Sequence, residues 1–280
     1  APLTDNFQNW FEKPYTIAPV SRLDSSMVSM CPLMANTENC HLLFADANLY
    51  DYAGFFLRPG HNGFTFEWPK YPATYEMVDW NNKRYAVDRY DYNVKGNASR
   101  VFPWRVVGIF PRDNDAAMLT SELVYLLSEP AEGDWSWVKP GKTLWDWWMD
   151  YNIYGVDFKA GINTDTYMYM IDHASAHGYE YLLIDEGWSE HDSATRLNPQ
   201  VNMPAICSYA AEKGVGILLW VKWVNLDKEM EAVFKMVSDW GVKGLKIDFM
   251  DRNDAEMVNW FETVAKMAAD HRMLIEFHGS

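Results

Sequence analysis

The sequence predicts an α/β protein in which a sheet-rich module precedes part of a (β/α)8 barrel. Up to about residue 130, short β-type runs are separated by Gly, Pro and Asn; after Lys142, short apolar runs alternate with amphipathic helical segments. The last four apolar runs begin 35, 28 and 29 residues apart. That spacing is close to the roughly 30 residues that one strand–helix unit requires.

The composition limits the classes of function. With 280 residues, of which 49% are hydrophobic, the chain can bury a large core. Its net charge of −15, without any Lys/Arg-rich stretch, argues against a nucleic-acid partner. No apolar run reaches the roughly 18 residues of a membrane span, so we expect no membrane insertion. The 14 tryptophans suit either stacking on sugars or an aromatic-rich core.

The first module is predicted over residues 1–130. Its β-type runs include HLLFADANLYDY, GFTFEW and SRVFPWRVVGIF, and turn-forming residues separate them. Residues 131–141, AEGDWSWVKPG, combine charge with Pro and Gly and are predicted to be a linker.

Residues 142–280 are predicted to form the barrel part. The expected strands are TLWDWW, YLLIDEGW, GILLWVKW, GLKIDFMD and MLIEFHG. We expect the first intervening helix to run from Thr164 to Gly178, the second to begin at Pro199, and the fourth to begin near Asp254. A closed barrel needs about 250 residues, so we expect five of eight units and a chain that stops within the barrel. A doubly wound sheet is the competing architecture, although no nucleotide-binding glycine loop follows any strand.

The chemistry is expected where the strands end, because barrel active sites lie at the carboxyl ends of the strands. Lys246 and Asp248 are two residues apart, so on a strand both point to one side. The lysine would hold the carboxylate ionised, as a nucleophile requires, and could bind a sugar hydroxyl. The alternative is a structural Lys–Asp pair. Asp251 is a second candidate, although its position also suits the cap of the following helix.

Other strand ends are polar as well. Asp185 and Glu186 alternate along a strand, so only one is expected to face the barrel lumen, where it could bind sugar hydroxyls. His278 could contact a sugar hydroxyl or orient a carboxylate, and a structural histidine is the alternative. The sequence has no HExxH or EF-hand spacing.

Four segments, KPGKTLWDWW, YLLIDEGW, GVKGLKIDFMDR and MLIEFHG, together resemble glycoside hydrolase family 97, specifically its retaining α-galactosidase branch. The resemblance implies that residues 1–130 are the latter part of an N-terminal β-super-sandwich. It also implies that 142–280 are the first five units of a catalytic (β/α)8 barrel. Retaining members resemble this chain in their KxD motif, whose aspartate matches Asp248, and inverting members have glycine there.

The resemblance implies the remaining roles. Asp248 would be the nucleophile, while Lys246, Glu186 and His278 would contact the sugar. The glutamate acid/base would fall after Ser280. Trp188 and Trp223, at strand ends, are predicted to bind substrate as well.

The family resemblance further implies a calcium ion between sandwich and barrel, with Asp46 as the matching ligand in this chain. It also implies an oligosaccharide substrate, a bacterial periplasmic or secreted location, and a monomer or weak oligomer.

The predicted function is therefore retaining hydrolysis of terminal α-linked galactosides through a covalent glycosyl-enzyme. An α-glucosidase of the same family is one alternative, because sugar choice depends on contacts to a single hydroxyl epimer. A carbohydrate-binding barrel without catalysis is a second alternative. A second catalytic carboxylate in the full-length protein would argue against it.

Overall fold

The computed structural model describes residues 3–8, 14–78, 83–97, 99–111 and 127–279. Within the predicted first module, residues 1–130, the segments 1–2, 9–13, 79–82 and 112–126 and residue 98 lie outside the described residues.

The first module is built from short antiparallel strands. A 3-10 turn at Val20–Arg22 precedes them. The strands are β1 Ser29–Met30, β2 Leu33–Asn36, β3 Cys40–Ala47, β4 Phe56–Pro59, β5 Phe64–Glu67, β6 Tyr75–Val78, β7 Lys83–Ala86 and β8 Trp104–Pro111. They form sheets in the orders β1-β4-β5 and β2-β3-β8, together with the hairpin β6-β7. The module is therefore β-sandwich-like.

Alternating burial explains the longest pairing in this module. Leu43, Ala45 and Ala47 on β3 are buried, and the residues between them are more exposed. β3 pairs with β8 from Cys40 opposite Pro111 to Ala47 opposite Trp104. A period of two is what a strand with one face on a core requires.

The second half consists of parallel strands joined by helices. The strands are β9 Thr143–Trp145, β10 Tyr181–Ile184, β11 Gly216–Lys222, β12 Gly244–Asp248 and β13 Leu274–His278. The helices are α1 Asp146–Met149, α2 Thr164–His177, α3 Met203–Glu212, α4 Trp223–Asp239 and α5 Ala255–Asp270. The five strands pair in sequence order, all parallel. The predicted α/β fold is confirmed.

The main core lies between this sheet and its helices. Tyr167, Ile171 and Ala174 of α2 are completely buried, at the spacing of one face of a helix. They pack in one cluster with the outward-facing residues of the strands, such as Ile217 and Leu219. At roughly 25 cal/mol per Å2 of apolar surface, this packing is the main stabilising contribution to the β/α half.

Several boundaries differ from the predictions. β9 ends at Trp145, and Asp146 begins a short helix because its carboxylate accepts the N–H of Trp147. α3 begins at Met203 rather than at Pro199, since the side chain of Asn202 caps it.

The remaining helix predictions fit more closely. α2 is capped by Asn163 and is followed by Gly178 in a left-handed conformation. α5 begins next to Asp254, as predicted, and the side chain of Asp254, rather than that of Asp251, caps it by accepting the N–H of Met257.

The hairpin β6-β7 and the segment after it contact the β/α half through charged groups. Arg84 pairs with Asp227 of α4 at 3.0 Å, and Arg89 pairs with Asp254 at 3.1 Å. Lys83 reaches Asp251, in the loop after β12, at 2.9 Å. Cations of the first module therefore meet carboxylates at the carboxyl-terminal side of the sheet.

Candidate active site

The polar groups of the site lie in two rows across neighbouring strands. In the first row, Trp220, Lys246 and Glu276 are register partners; in the second, Lys222, Asp248 and His278 are. Because partners in a parallel sheet point to the same side, both rows share the face opposite the helices. The predicted convergence of strand-end residues is therefore seen in the structure.

Asp248 is held by hydrogen bonds to both carboxylate oxygens. Oδ1 accepts the N–H of Phe249 at 2.7 Å, and Oδ2 accepts the indole N–H of Trp220 at 2.9 Å. Nδ1 of His278 lies 3.2 Å from Oδ2. Asp248 is only 5% exposed. These contacts fix the orientation of the carboxylate, which is what a nucleophile in a preorganised site needs.

Lys246 has a different partner from the one its spacing suggested. Its ammonium lies 2.9 Å from Oδ2 of Asp185 and 4.2 Å from the ring centroid of Trp145. The same Asp185 oxygen accepts the indole N–H of Trp145 at 2.7 Å. The structure therefore corrects the expectation of a Lys246–Asp248 ion pair, because the lysine side chain extends toward β10 rather than along its own strand.

Asp185 is positioned by a second buried carboxyl group. The N–H of Asp185 donates to Asp146, with distances of 3.0 and 3.2 Å to the two oxygens. Burial, assisted by the nearby Asp185 charge, raises the pKa of Asp146 to about 6 against the N–H donors that lower it. Asp146 lies within the predicted strand TLWDWW, but its contact with Asp185 depends on the pairing of β9 with β10 and could not be predicted from the sequence.

Asp185 and Glu186 both contact residues of the site, although strand alternation predicted only one. β10 ends at Ile184, so the alternation does not extend to these two residues. One oxygen of Glu186 lies 3.2 Å from Nδ1 of His191 and 3.5 Å from the ammonium of Lys222. Lys222, 1% exposed, is a site residue that the predictions did not select. Its position at the end of a strand was the available signal.

The two tryptophans predicted to bind substrate are buried. Trp188 is 1% exposed and donates to the backbone carbonyl of Trp220 at 2.8 Å. Trp223 is 2% exposed and packs edge-on against Trp260, with the guanidinium of Arg84 over its ring. Both belong to the helix-side core, so the structure places neither ring where a sugar could stack. Trp223 directly follows Lys222, which faces the site, so strand alternation already directs the Trp223 side chain to the helix side of the sheet.

Asp46, the expected calcium ligand, lies on β3 opposite Arg105. Burial raises its pKa, while Arg105 and the N–H of Phe55 lower it. Within the described ranges, no group of three or more His, Cys, Asp or Glu side chains could hold a metal ion. The described surroundings of Asp46 therefore do not fit a calcium site by themselves.

Polar side chains and one fixed carboxylate therefore meet at the carboxyl ends of parallel strands, where β/α enzymes carry their active sites. Residues 145–280 match the family described as Glycoside hydrolase 97, and residues 2–130 match Glycosyl-hydrolase 97 N-terminal. The chain belongs to glycoside hydrolase family 97.

Two curated relatives carry related names. A retaining alpha-galactosidase of Bacteroides thetaiotaomicron is 36% identical over 98% of this chain and 42% of the relative. A probable retaining alpha-galactosidase of Streptomyces bingchenggensis is 31% identical over 70% of this chain and 31% of the relative. The chain thus spans less than half the length of the curated relatives it matches.

A solved structure supports the fold. A family 97 enzyme from Pseudoalteromonas sp. strain K8, in complex with acarbose, superposes with a TM-score of 0.75 at 22% identity. The match covers 97% of this chain and 43% of that chain.

Along the described part of the present chain, no helix combines the length and the apolar character required to cross a bilayer.

Proposed function

We propose that the protein to which this chain belongs is a retaining glycosidase that hydrolyses terminal α-linked galactosides, with Asp248 as nucleophile. The observation that carries the proposal is the Asp248 carboxylate itself, buried at the end of β12 and held by donors at both oxygens. The names of the two curated relatives support galactose as the substrate sugar.

In the first step of this mechanism, a carboxylate oxygen of Asp248 attacks the anomeric carbon. A C–O bond to the enzyme forms while the glycosidic C–O bond breaks, and an acid protonates the departing oxygen. Water then attacks the glycosyl-enzyme, gives a proton to the same acid/base, and releases the sugar with its original configuration. We assign no residue of this chain to the acid/base and expect it after Ser280.

The other side chains of the face would bind the sugar. Lys246 and Asp185 form one charged pair at the sheet face, and Lys222 and Glu186 form another. Donors and acceptors fixed in this way can hydrogen-bond sugar hydroxyls and distinguish an axial from an equatorial hydroxyl. His278, which contacts Asp248, is placed to contact a hydroxyl near the reacting carbon.

The test is proton NMR of aryl α-galactoside hydrolysis by the full-length enzyme, together with Asp248→Gly in the presence and absence of azide. We expect the α-anomer to appear first. We also expect Asp248→Gly to lose activity by on the order of 10³-fold or more, and azide to yield β-galactosyl azide. Glu276→Gln, which alters an exposed carboxylate of the same face, should form no azide product.

The alternatives give different outcomes in the same experiment. Faster hydrolysis of an aryl α-glucoside than of the galactoside would indicate an α-glucosidase. Sugar binding without hydrolysis would indicate a carbohydrate-binding protein. First release of the β-anomer, or full activity of Asp248→Gly, would contradict the proposed role of Asp248.

We also propose that the five parallel units belong to a closed (β/α)8 barrel. Their sequential order supports this, because barrel strands pair with their neighbours along the chain. Among the described residues, β9 and β13 each pair with a single strand. A structure of the full-length protein with further parallel strands between β13 and β9 is the expected result, and an open sheet would contradict it.

Calcium and cellular location are proposals for the whole protein as well. Because Asp46 has no cluster of carboxylates among the described residues, a calcium site would require ligands from elsewhere in the protein. Metal analysis of purified full-length protein, before and after chelation, tests calcium. Cell fractionation tests the periplasmic or secreted location, and gel filtration tests for a monomer or weak oligomer.

A further inference from the structure

Lys83 of the β-sandwich-like module reaches the loop that follows the proposed nucleophile. It begins β7, is 7% exposed, and its ammonium lies 2.9 Å from Oδ2 of Asp251. Asp251 is 1% exposed. Removing one partner of such a buried pair leaves an uncompensated charge, so the contact strongly constrains where Asp251 lies.

Asp248, at the end of β12, and Asp251, in the loop after it, both lie close to Gly279. The N–H of Asp251 donates to the carbonyl of Gly279 at 2.7 Å. A Cβ atom built on Gly279 would lie 2.8 Å from Oδ1 of Asp248 and 3.5 Å from Oδ1 of Asp251. A displacement of Asp251 therefore moves either the loop that follows Asp248 or the glycine packed against the Asp248 carboxylate.

The loop has an unfavourable backbone conformation. Phe249 and Asp251 have φ angles of 69° and 52°, in the left-handed region that costs residues with a Cβ about 1–2 kcal/mol each. Such conformations persist only where the surroundings impose them. Lys83 contacts both residues, because its ammonium also lies 4.9 Å from the centroid of the Phe249 ring.

Phe249 links this loop directly to the carboxylate, because its N–H is the donor to Oδ1 of Asp248. We propose that Lys83 is a positioning residue for the nucleophile. By holding Asp251 and Phe249, it keeps the N–H of Phe249 and the carboxylate of Asp248 in their reactive arrangement. This proposal rests on the proposed function, in which Asp248 attacks the substrate.

The neighbouring residue provides a matched comparison. Arg84 lies on the same hairpin and also pairs with a carboxylate of the β/α half, Asp227 of α4, at 3.0 Å. That pair is partly exposed and is attached to a helix rather than to the loop after β12. If Lys83 only joins the two halves of the structure, the two residues should behave alike.

The experiment compares Lys83→Met, Lys83→Arg and Arg84→Met in the full-length enzyme, with kcat and KM measured on an aryl α-galactoside. We expect Lys83→Met to lower kcat about 100-fold with KM within about threefold, since misplacement by 1 Å can cost that much. Lys83→Arg should recover most of the loss, and Arg84→Met should keep kcat within about threefold. The rate at which an activated fluorogalactoside labels Asp248 should fall in parallel with kcat.

Three results would overturn the positioning role: an unchanged kcat in Lys83→Met, a loss confined to KM, or an equal loss in Arg84→Met. If Lys83→Met does not fold, Asp251→Asn applies the same criteria from the other partner. Failure of the proposed function is recognised separately, because Asp248→Gly would then remain active whatever the Lys83 variants do.

Discussion

The indole nitrogen of Trp220 donates to Oδ2 of Asp248 across two neighbouring strands, with 2.9 Å between the atoms. The bond connects β11 to the proposed nucleophile at the end of β12, and both side chains are buried. A hydrogen bond to a charged group is worth about 1.5–3 kcal/mol. The indole is therefore part of the proposed catalytic site.

Trp220→Phe removes this donor while keeping an aromatic ring. We expect kcat of the full-length enzyme to fall roughly 10- to 100-fold, from the hydrogen-bond energy above, with a smaller effect on KM. Steady-state kinetics on an aryl α-galactoside measure this. Trp260→Phe is the matched control, because its indole donates to Asp227 at 3.0 Å away from Asp248. Equal losses in the two variants would contradict the assignment.

Gly279→Ala should lower the proposed activity of the full-length protein through a clash with Asp248, the proposed nucleophile. Gly279 has a φ of 66°, and an added Cβ would lie 2.8 Å from Oδ1 of Asp248. We expect kcat to fall by about 100-fold or more. Gly178→Ala is the control: its φ is 70°, but nothing lies within 4 Å of the added atom. That variant should lose only about 1–2 kcal/mol of stability, measured by urea unfolding, and no kcat.

Asp146 should make stability fall as pH rises from about 4 to about 7. Its pKa is raised by burial from 3.8 to about 6, so the folded state binds the proton more tightly than the unfolded chain. Stability is therefore greatest below the unfolded pKa and is lost as pH passes through about 6, by up to about 3 kcal/mol.

Asp146→Asn tests this dependence, because an amide oxygen can still accept the N–H groups of Trp147 and Asp185. The difference in unfolding free energy between the wild type and the variant, measured in urea at several pH values, should shift in favour of the variant as pH rises from about 4 to about 7 and level off above that. A difference that stays constant across this range would contradict the raised pKa.

The buried Lys246–Asp185 pair should be costly to break and inexpensive to replace. Asp185→Ala leaves the 3% exposed Lys246 ammonium uncompensated, so we expect a loss of about 3–5 kcal/mol in unfolding free energy. The double variant Asp185→Leu with Lys246→Met should recover most of it. Lys235→Ala, which breaks the exposed pair with Asp239, should cost under about 1 kcal/mol. A loss in Asp185→Ala as small as that control would contradict the prediction.

Apolar periodicity was sufficient to predict the five parallel strands, since each run is apolar, the three central ones are mostly buried, and the spacing admits one helix between runs. It also predicted that Asp248 would lie among other strand-end polar residues. Helix starts were harder, because Asn202 and Pro199 both suit a helix start and only the tertiary structure selects Asn202.

The partners of individual side chains could not be predicted from the sequence. Lys246 reaches Asp185, which follows β10, and Trp223 packs against Trp260 and Arg84 in the core. Lys83 carries no local signal at all, since its partner Asp251 is 168 positions further along the chain. A spacing of two residues on a strand predicts that two side chains lie on the same face of the sheet. It does not predict which neighbouring residue each side chain contacts.

The charged contacts between hairpin and loop also bear on the order of events during synthesis. Lys83, Arg84 and Arg89 leave the ribosome well before Asp251, Asp227 and Asp254, with which they pair. Domains generally fold as units from the N-terminus as translation proceeds, so the first module would present a preformed cationic rim to the nascent β/α half. The loop that follows the proposed nucleophile would then take its conformation by docking on that rim. The first module would in this way help to shape the active site.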